Sequence, residues 1–171
     1  MFYLWLLPHP DVYESLAQLI IQLGHEHDGP SFEPHITLLG NIEDDEKTAI
    51  SKTTELANII SRFKVNVDVI EGQNKYYQSL YLKLIRSEAL LDARQQAERV
   101  FNQASFNPAT NNYMPHISLL YGDQPEAIKP QIITTLSGRI PGEYLIDRLT
   151  LVFSQGGPPD TWKTITTQPL Q

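Results

Sequence analysis

Four residues in two matching frames carry the reactive groups. "PHITLLG" runs from Pro34 to Gly40 and "PHISLLYG" from Pro115 to Gly122. Each frame reads proline, histidine, isoleucine, a hydroxyl residue, then leucines closing on glycine. The chain has only five histidines and places His35 and His116 in the same context 81 residues apart (116 − 35). Two imidazoles and two hydroxyls suit attack of water on an activated phosphodiester. A neutral imidazole removes a proton from the water, and a protonated one gives a proton to the departing oxygen. Thr37 and Ser118 would donate to the non-bridging oxygens, where charge gathers in the transition state. With both side chains at an ordinary pKa near 6.5, roughly a fifth of molecules at pH 7 hold one given histidine charged and the other neutral. No metal is required by this scheme.

Such residues must sit on strands to act together. Strand side chains alternate, so His35 and Thr37 share one face while Ile36 and Leu38 share the other, and His116 and Ser118 do the same against Ile117 and Leu119. Around each frame the chain reads strand, helix, His strand, helix, strand. Phe2 to Leu7 is a strand. "DVYESLAQLIIQLG" is an amphipathic helix with Asp11 as N-cap and Gly24 as stop. Asp44 or Asp45 caps a second helix running to about Arg62, and "KVNVDVIEG" alternates with Val65, Val67 and Val69 on one side. The second half repeats the order: a strand at Ser79 to Ile85, a helix over "SEALLDARQQAERVFNQA", the second frame, and a helix from about Pro125 to Leu136. It closes on the strands "EYLIDRLTLVF" and "TWKTITT", joined through "SQGGPPD". Two such units, about 1–72 and 77–171, would face each other across a pseudo-two-fold axis and share one groove. The expected class is α+β, with all of 1–171 as one two-lobed domain.

Composition narrows the setting. At 171 residues and 41% hydrophobic content the chain can bury a core unaided, and a monomer is expected. The absence of cysteine removes disulfides, thiol nucleophiles and cysteine-ligated zinc, and it fits a reducing compartment, with the cytoplasm as the default. The apolar opening "MFYLWLLPHP" has no basic start and stops short of the ~20 residues that span a bilayer, so it reads as a buried strand and no membrane partner is expected. A net charge of −7 argues against DNA or long RNA held by phosphate neutralisation, but leaves room for a small nucleotide-like phosphate or an RNA end.

The paired frames "HITL" and "HISL", about eighty residues apart in a duplicated chain of this size, resemble the signature of the LigT-like two-histidine phosphoesterase superfamily. That group includes bacterial RNA 2′,3′-cyclic phosphodiesterases and the plant and yeast cyclic nucleotide phosphodiesterases. "YLWLLP" and "HISLLYG" are most similar to the plant and yeast branch. The resemblance covers the whole chain. It implies two lobes, each a small antiparallel sheet with helices outside, and a metal-free cleft between them lined by both motifs. It implies a substrate such as a nucleoside 2′,3′-cyclic phosphate or ADP-ribose 1″,2″-cyclic phosphate. It also implies that Trp5 and Tyr121 sit beside that substrate.

Competing readings are weaker. Two buried strands kept after duplication would explain the isoleucines and leucines but not the hydroxyls. His25 and His27 in "GHEHDG", with His9, read as an exposed turn rather than a metal site, and no cofactor is expected. Lys83 and Arg86 could meet a phosphate but read as solvated. Tyr76 and Tyr77 form a loop over the cleft or have no special role. Two alternative functions remain open: a binding module for nucleotides or RNA ends without turnover, and a ligase-like protein that processes RNA ends.

Overall fold

The computed structural model describes residues 1–103 and 112–171. Its elements follow the order β1 (Phe2–Pro8), α1 (Pro10–Glu26), β2 (Ile36–Ile42), α2 (Glu46–Ile59), β3 (Phe63–Glu71), β4 (Leu80–Leu84), α3 (Glu88–Val100), β5 (His116–Leu120), α4 (Lys129–Leu136), β6 (Glu143–Phe153) and β7 (Lys163–Pro169). The class is α+β with antiparallel pairing throughout. The expected order of strand, helix, His strand, helix and strand is present twice.

The strands run β1-β2-β5-β4-β3-β6-β7, and β1 also pairs with β6. Six strands therefore close a circuit, and β7 adds to β6 outside it. Ladders join β7, β6, β1 and β2 along one side of the circuit and β3, β4 and β5 along the other, and the pairings β3–β6 and β2–β5 connect the two sides. Each side draws on both halves of the chain, because the third strand of each unit crosses to the other unit. β3 pairs with β4 of the second unit, and β6 pairs with β1 of the first. At eleven residues β6 is long enough to pair with β1 from Ile146 to Phe153 and with β3 from Glu143 to Ile146.

Helix faces supply the core. Leu16, Ile20 and Leu23 of α1, Ala49, Leu56 and Ala57 of α2, Leu90, Ala93 and Ala97 of α3, and Ile132 and Leu136 of α4 are buried at helical spacing. They cover the strand face that carries Leu4, Leu6, Ile36, Leu38, Ile117 and Leu119, all fully buried. The opposite face carries the motif histidines and hydroxyls.

Local departures from the sequence reading have physical causes. α1 begins at Pro10, whose fixed φ suits the first helical position, so His9 and not Asp11 stands at the N-cap. Gly24 does not stop that helix; a Cβ there would come within 2.9 Å of the Gly29 carbonyl oxygen, so its smallness serves a close approach. Asp45 caps α2 by accepting from the Thr48 amide at 3.0 Å, and the helix ends at Ile59, ahead of Arg62. The alternation of β3 breaks at a register shift between Val67 and Val69. Beyond it Val69 is exposed and Ile70 packs on the core, which turns Glu71 to the motif face opposite Tyr81. The helix expected over Ser87 to Ala104 is α3, capped by Ser87, and its last expected residue lies outside the described residues.

Gly72 is the neck of the β3–β4 loop. A methyl group there would collide with the Ser79 carbonyl oxygen. Gly72→Ala is expected to cost about 1–3 kcal/mol, as overpacking does, seen as a lower Tm in a calorimetric scan. Gly142→Ala, with nothing within 4 Å of the added carbon, should leave Tm near wild type.

Candidate active site

β2 and β5 meet at a seam of the strand circuit through one ladder pair among the described residues, Ile36 opposite Ile117. These are equivalent residues of the two frames, so the local two-fold axis passes between them. Both isoleucines point into the core. Their neighbours therefore point to the other face, and continuing the antiparallel register sets His35 across from Ser118 and Thr37 across from His116. The two histidines are then diagonal neighbours on one face, with backbones roughly 7–8 Å apart. That spacing lets two imidazoles address one phosphorus-sized centre from opposite sides.

The rings are fixed in the same way. Nδ1 of His35 lies 2.7 Å from the Glu33 carbonyl oxygen, and Nδ1 of His116 lies 2.9 Å from that of Met114. In each case the acceptor sits two residues before the histidine. A carbonyl only accepts, so both Nδ1 atoms carry hydrogen, and each Nε2 is left for the cleft.

Their surroundings differ. Trp5 of β1, opposite Thr37, lies flat on His35 with centroids 3.7 Å apart and planes 11° from parallel. Tyr81 of β4, opposite Ser118, is the equivalent residue beside His116, but it meets that ring edge-on at 5.3 Å and 66°. The Tyr81 hydroxyl donates to Glu71 Oε1 at 2.7 Å and accepts from Gln73 Nε2 at 2.9 Å. His35 is only 8% exposed, and burial lowers its pKa to about 4, opposed by the Glu33 carbonyl and assisted by the nearby His116. The half-buried His116 is also lowered by burial, against the pull of the Met114 carbonyl. The even split expected from two unperturbed imidazoles is thus replaced by an ordered pair: His35 is the harder to protonate.

The other expected residues lie close by. Thr37 is half-buried on β2, and its carbonyl accepts from the Tyr113 hydroxyl at 3.1 Å. Ser118 is buried and its hydroxyl donates to the Tyr77 carbonyl at 3.0 Å, so donation to a ligand requires that hydrogen to swing away. Trp5 is 5% exposed, and Tyr121 is 3% exposed with Phe32 stacked on it at 3.7 Å. Lys83 sits opposite His116, with Nζ 3.8 Å from Glu71 Oε1.

Sequence reasoning missed Trp162 and the Tyr81, Glu71 and Gln73 cluster. Trp162 stands 5.5 Å from Trp5, 6.3 Å from His35, 6.3 Å from Tyr77 and 6.2 Å from Tyr121. It also forms a wall of a groove of about 430 Å³ with Tyr13, Glu33 and Asp160. A wider concavity of about 600 Å³ beside Gly40 and Phe101 lies away from the histidines, and its Arg94 is tied to the Leu38 carbonyl and Glu98. Among the described residues no three His, Cys, Asp or Glu side chains gather as a metal site would require, His9, His25 and His27 included. No described helix is long and apolar enough to cross a membrane.

Comparison with known proteins places the chain in a family and a fold. The model of the family described as cyclic phosphodiesterase-like protein matches residues 1–165. The cyclic phosphodiesterase of Arabidopsis thaliana is 24% identical over 171 residues, covering 96% of this chain and 92% of that one. Among solved structures, TT0787 of Thermus thermophilus superposes with a TM-score of 0.60 at 16% identity, covering 99% of this chain and 97% of that chain. E. coli LigT in its apo form gives 0.58 at 17% identity, covering 99% and 96%, and a further structure holds LigT complexed with 3′-AMP. At these identities the structural likeness speaks for the fold, a LigT-like one.

Proposed function

The chain belongs to the cyclic phosphodiesterase-like protein family, of two-histidine phosphoesterases, and from that premise we propose that it opens a small nucleotide-like cyclic phosphate to a phosphomonoester without a metal. The observation that carries the proposal is the matched pair of Nδ1 locks, which leave two Nε2 atoms for one centre on the seam. Nucleoside 2′,3′-cyclic phosphates and ADP-ribose 1″,2″-cyclic phosphate are the substrate types proposed. The Arabidopsis relative is named a cyclic phosphodiesterase, and E. coli LigT has been crystallised with 3′-AMP; both support a nucleotide-like ligand. The protein is taken to act as one two-lobed monomer in the cytoplasm.

The order of the histidines follows from burial. His35, held neutral, removes a proton from water as its oxygen attacks phosphorus. His116, the easier to protonate, gives its proton to the ring oxygen as the P–O bond breaks. The products are a monoester and a free hydroxyl, and the two imidazoles exchange protons with solvent before the next turnover. Thr37 and Ser118 donate to the non-bridging oxygens in the pentacoordinate state. Trp5 keeps the His35 ring in plane, and Tyr121 walls the cleft beside Ser118.

Phosphorus NMR of the two substrate types with excess chelator tests the reading. Conversion of the cyclic resonance to a monoester at an unchanged rate is expected. No opening of either substrate, or opening abolished by the chelator, would refute it.

A further inference from the structure

The two loops that leave the third strands are built alike. Residues 72–79 and 154–162 each contain one 3₁₀ turn, Tyr76–Gln78 and Pro159–Thr161, and each brings an aromatic ring to the cleft. We propose that Tyr77 and Trp162, one from each loop, form a clamp that stacks on both faces of the substrate's nucleobase. The inference rests on the nucleotide reading above and assigns the part of that substrate away from phosphorus.

The ring pairings point to these two residues. Trp5 is spent on His35, and Tyr121 has Phe32 on one face; both are almost wholly buried, so neither offers a free face. Tyr77 is 44% exposed and Trp162 is half-buried. Their centroids are 6.3 Å apart and their planes are 37° from parallel. A planar base between two rings needs about 7 Å, twice the ~3.5 Å carbon contact distance. The slot thus fits a base after opening by under ~1 Å and flattening. Tyr121 closes its back, edge-on to both rings at 5.2 and 6.2 Å, and the His35 ring lies 6.3 Å from Trp162. Trp162 thus borders both the base slot and the histidine, as the two ends of one nucleotide require.

Both loops are held firmly enough to present the rings. The Trp162 indole donates to the Gly157 carbonyl at 3.0 Å. On the other side the Tyr76 carbonyl accepts from the Gly122 amide at 2.9 Å, and the Gln78 carbonyl accepts from the Gln73 amide at 2.9 Å. Stacking of this kind reads no hydrogen-bond pattern, so the clamp should accept purines and pyrimidines alike.

The test compares a nucleoside 2′,3′-cyclic phosphate with methyl riboside 2,3-cyclic phosphate, which has no base. Tyr77→Ala and Trp162→Ala should each raise KM for the nucleoside substrate about tenfold to a hundredfold, collapsing the preference for a base over none, while Trp162→Phe keeps most of it. An unchanged preference in the variants, or equal losses on both substrates, overturns the clamp. A second arm needs no turnover. Adenosine 2′-monophosphate should saturably quench Trp162 fluorescence in Trp5→Phe, where it is the one tryptophan left, and ribose 5-phosphate should not. Absence of quenching, or equal quenching by both, also overturns the clamp. Wild type inert on both cyclic phosphates but quenched by the nucleotide would refute the hydrolase reading alone.

Discussion

His116→Ala is expected to slow cyclic phosphate opening by about 10²–10⁴-fold and His35→Ala by a similar factor, but a change of leaving group should rescue only the first. The departing ring oxygen is a poor leaving group and needs a proton as its bond to phosphorus breaks. A nitrophenolate leaves well as an anion. On a nucleoside p-nitrophenyl phosphodiester, release of nitrophenol followed by absorbance should be nearly normal in His116→Ala and still crippled in His35→Ala, because water attack needs its base with either substrate. The reverse pattern would exchange the two roles. Equal behaviour of both variants on both substrates would sink the acid and base assignment altogether. Matching Tm values establish that a lost rate is not a lost fold. That check matters most for His35, which is buried under Trp5.

The dependence of kcat/KM on pH should peak on the acid side of neutrality. Burial lowers His35 to about 4 and takes His116 below its usual value near 6.5. His35 must be neutral to act as base, so activity rises as pH climbs through about 4. His116 must carry its proton to act as acid, so activity falls as pH climbs through its own, higher value. Between these limits the required form is neutral His35 with charged His116. The opposite arrangement of charges is a minor species there, which is why the ordered pair favours His35 as base. Above the maximum kcat/KM should fall tenfold per pH unit, by roughly a hundredfold or more at pH 8.5. Because the groups interact, the two limbs report the pair. A maximum at pH 7 to 8 would mean that the free protein does not hold His116 as the burial implies.

The candidate site of this chain was legible because its residues lie in local repeats. His35, Thr37, His116 and Ser118 announce themselves by frame, and strand alternation alone puts them on one face, with Ile36 and Ile117 on the other. What stayed hidden depends on partners distant in sequence. Trp162 is 127 residues from His35 (162 − 35), and nothing around it marks it as a neighbour of that ring. Tyr81 and Glu71 meet only because β3 slips register between Val67 and Val69, which a strictly alternating pattern conceals. Alternation states that a strand has two faces but not which strand lies alongside. The crossing of β3 and β6 between the units therefore left no trace in the sequence. Gly24 shows the same limit at one residue: a glycine near a helix end reads as a stop, whereas here it admits the Gly29 carbonyl.

The traded third strands govern how the molecule can come apart. Severed between the units, neither piece would be a smaller copy of the whole. Each would lack the strand that flanks its own first strand and would display an unpaired backbone edge, a surface that invites association.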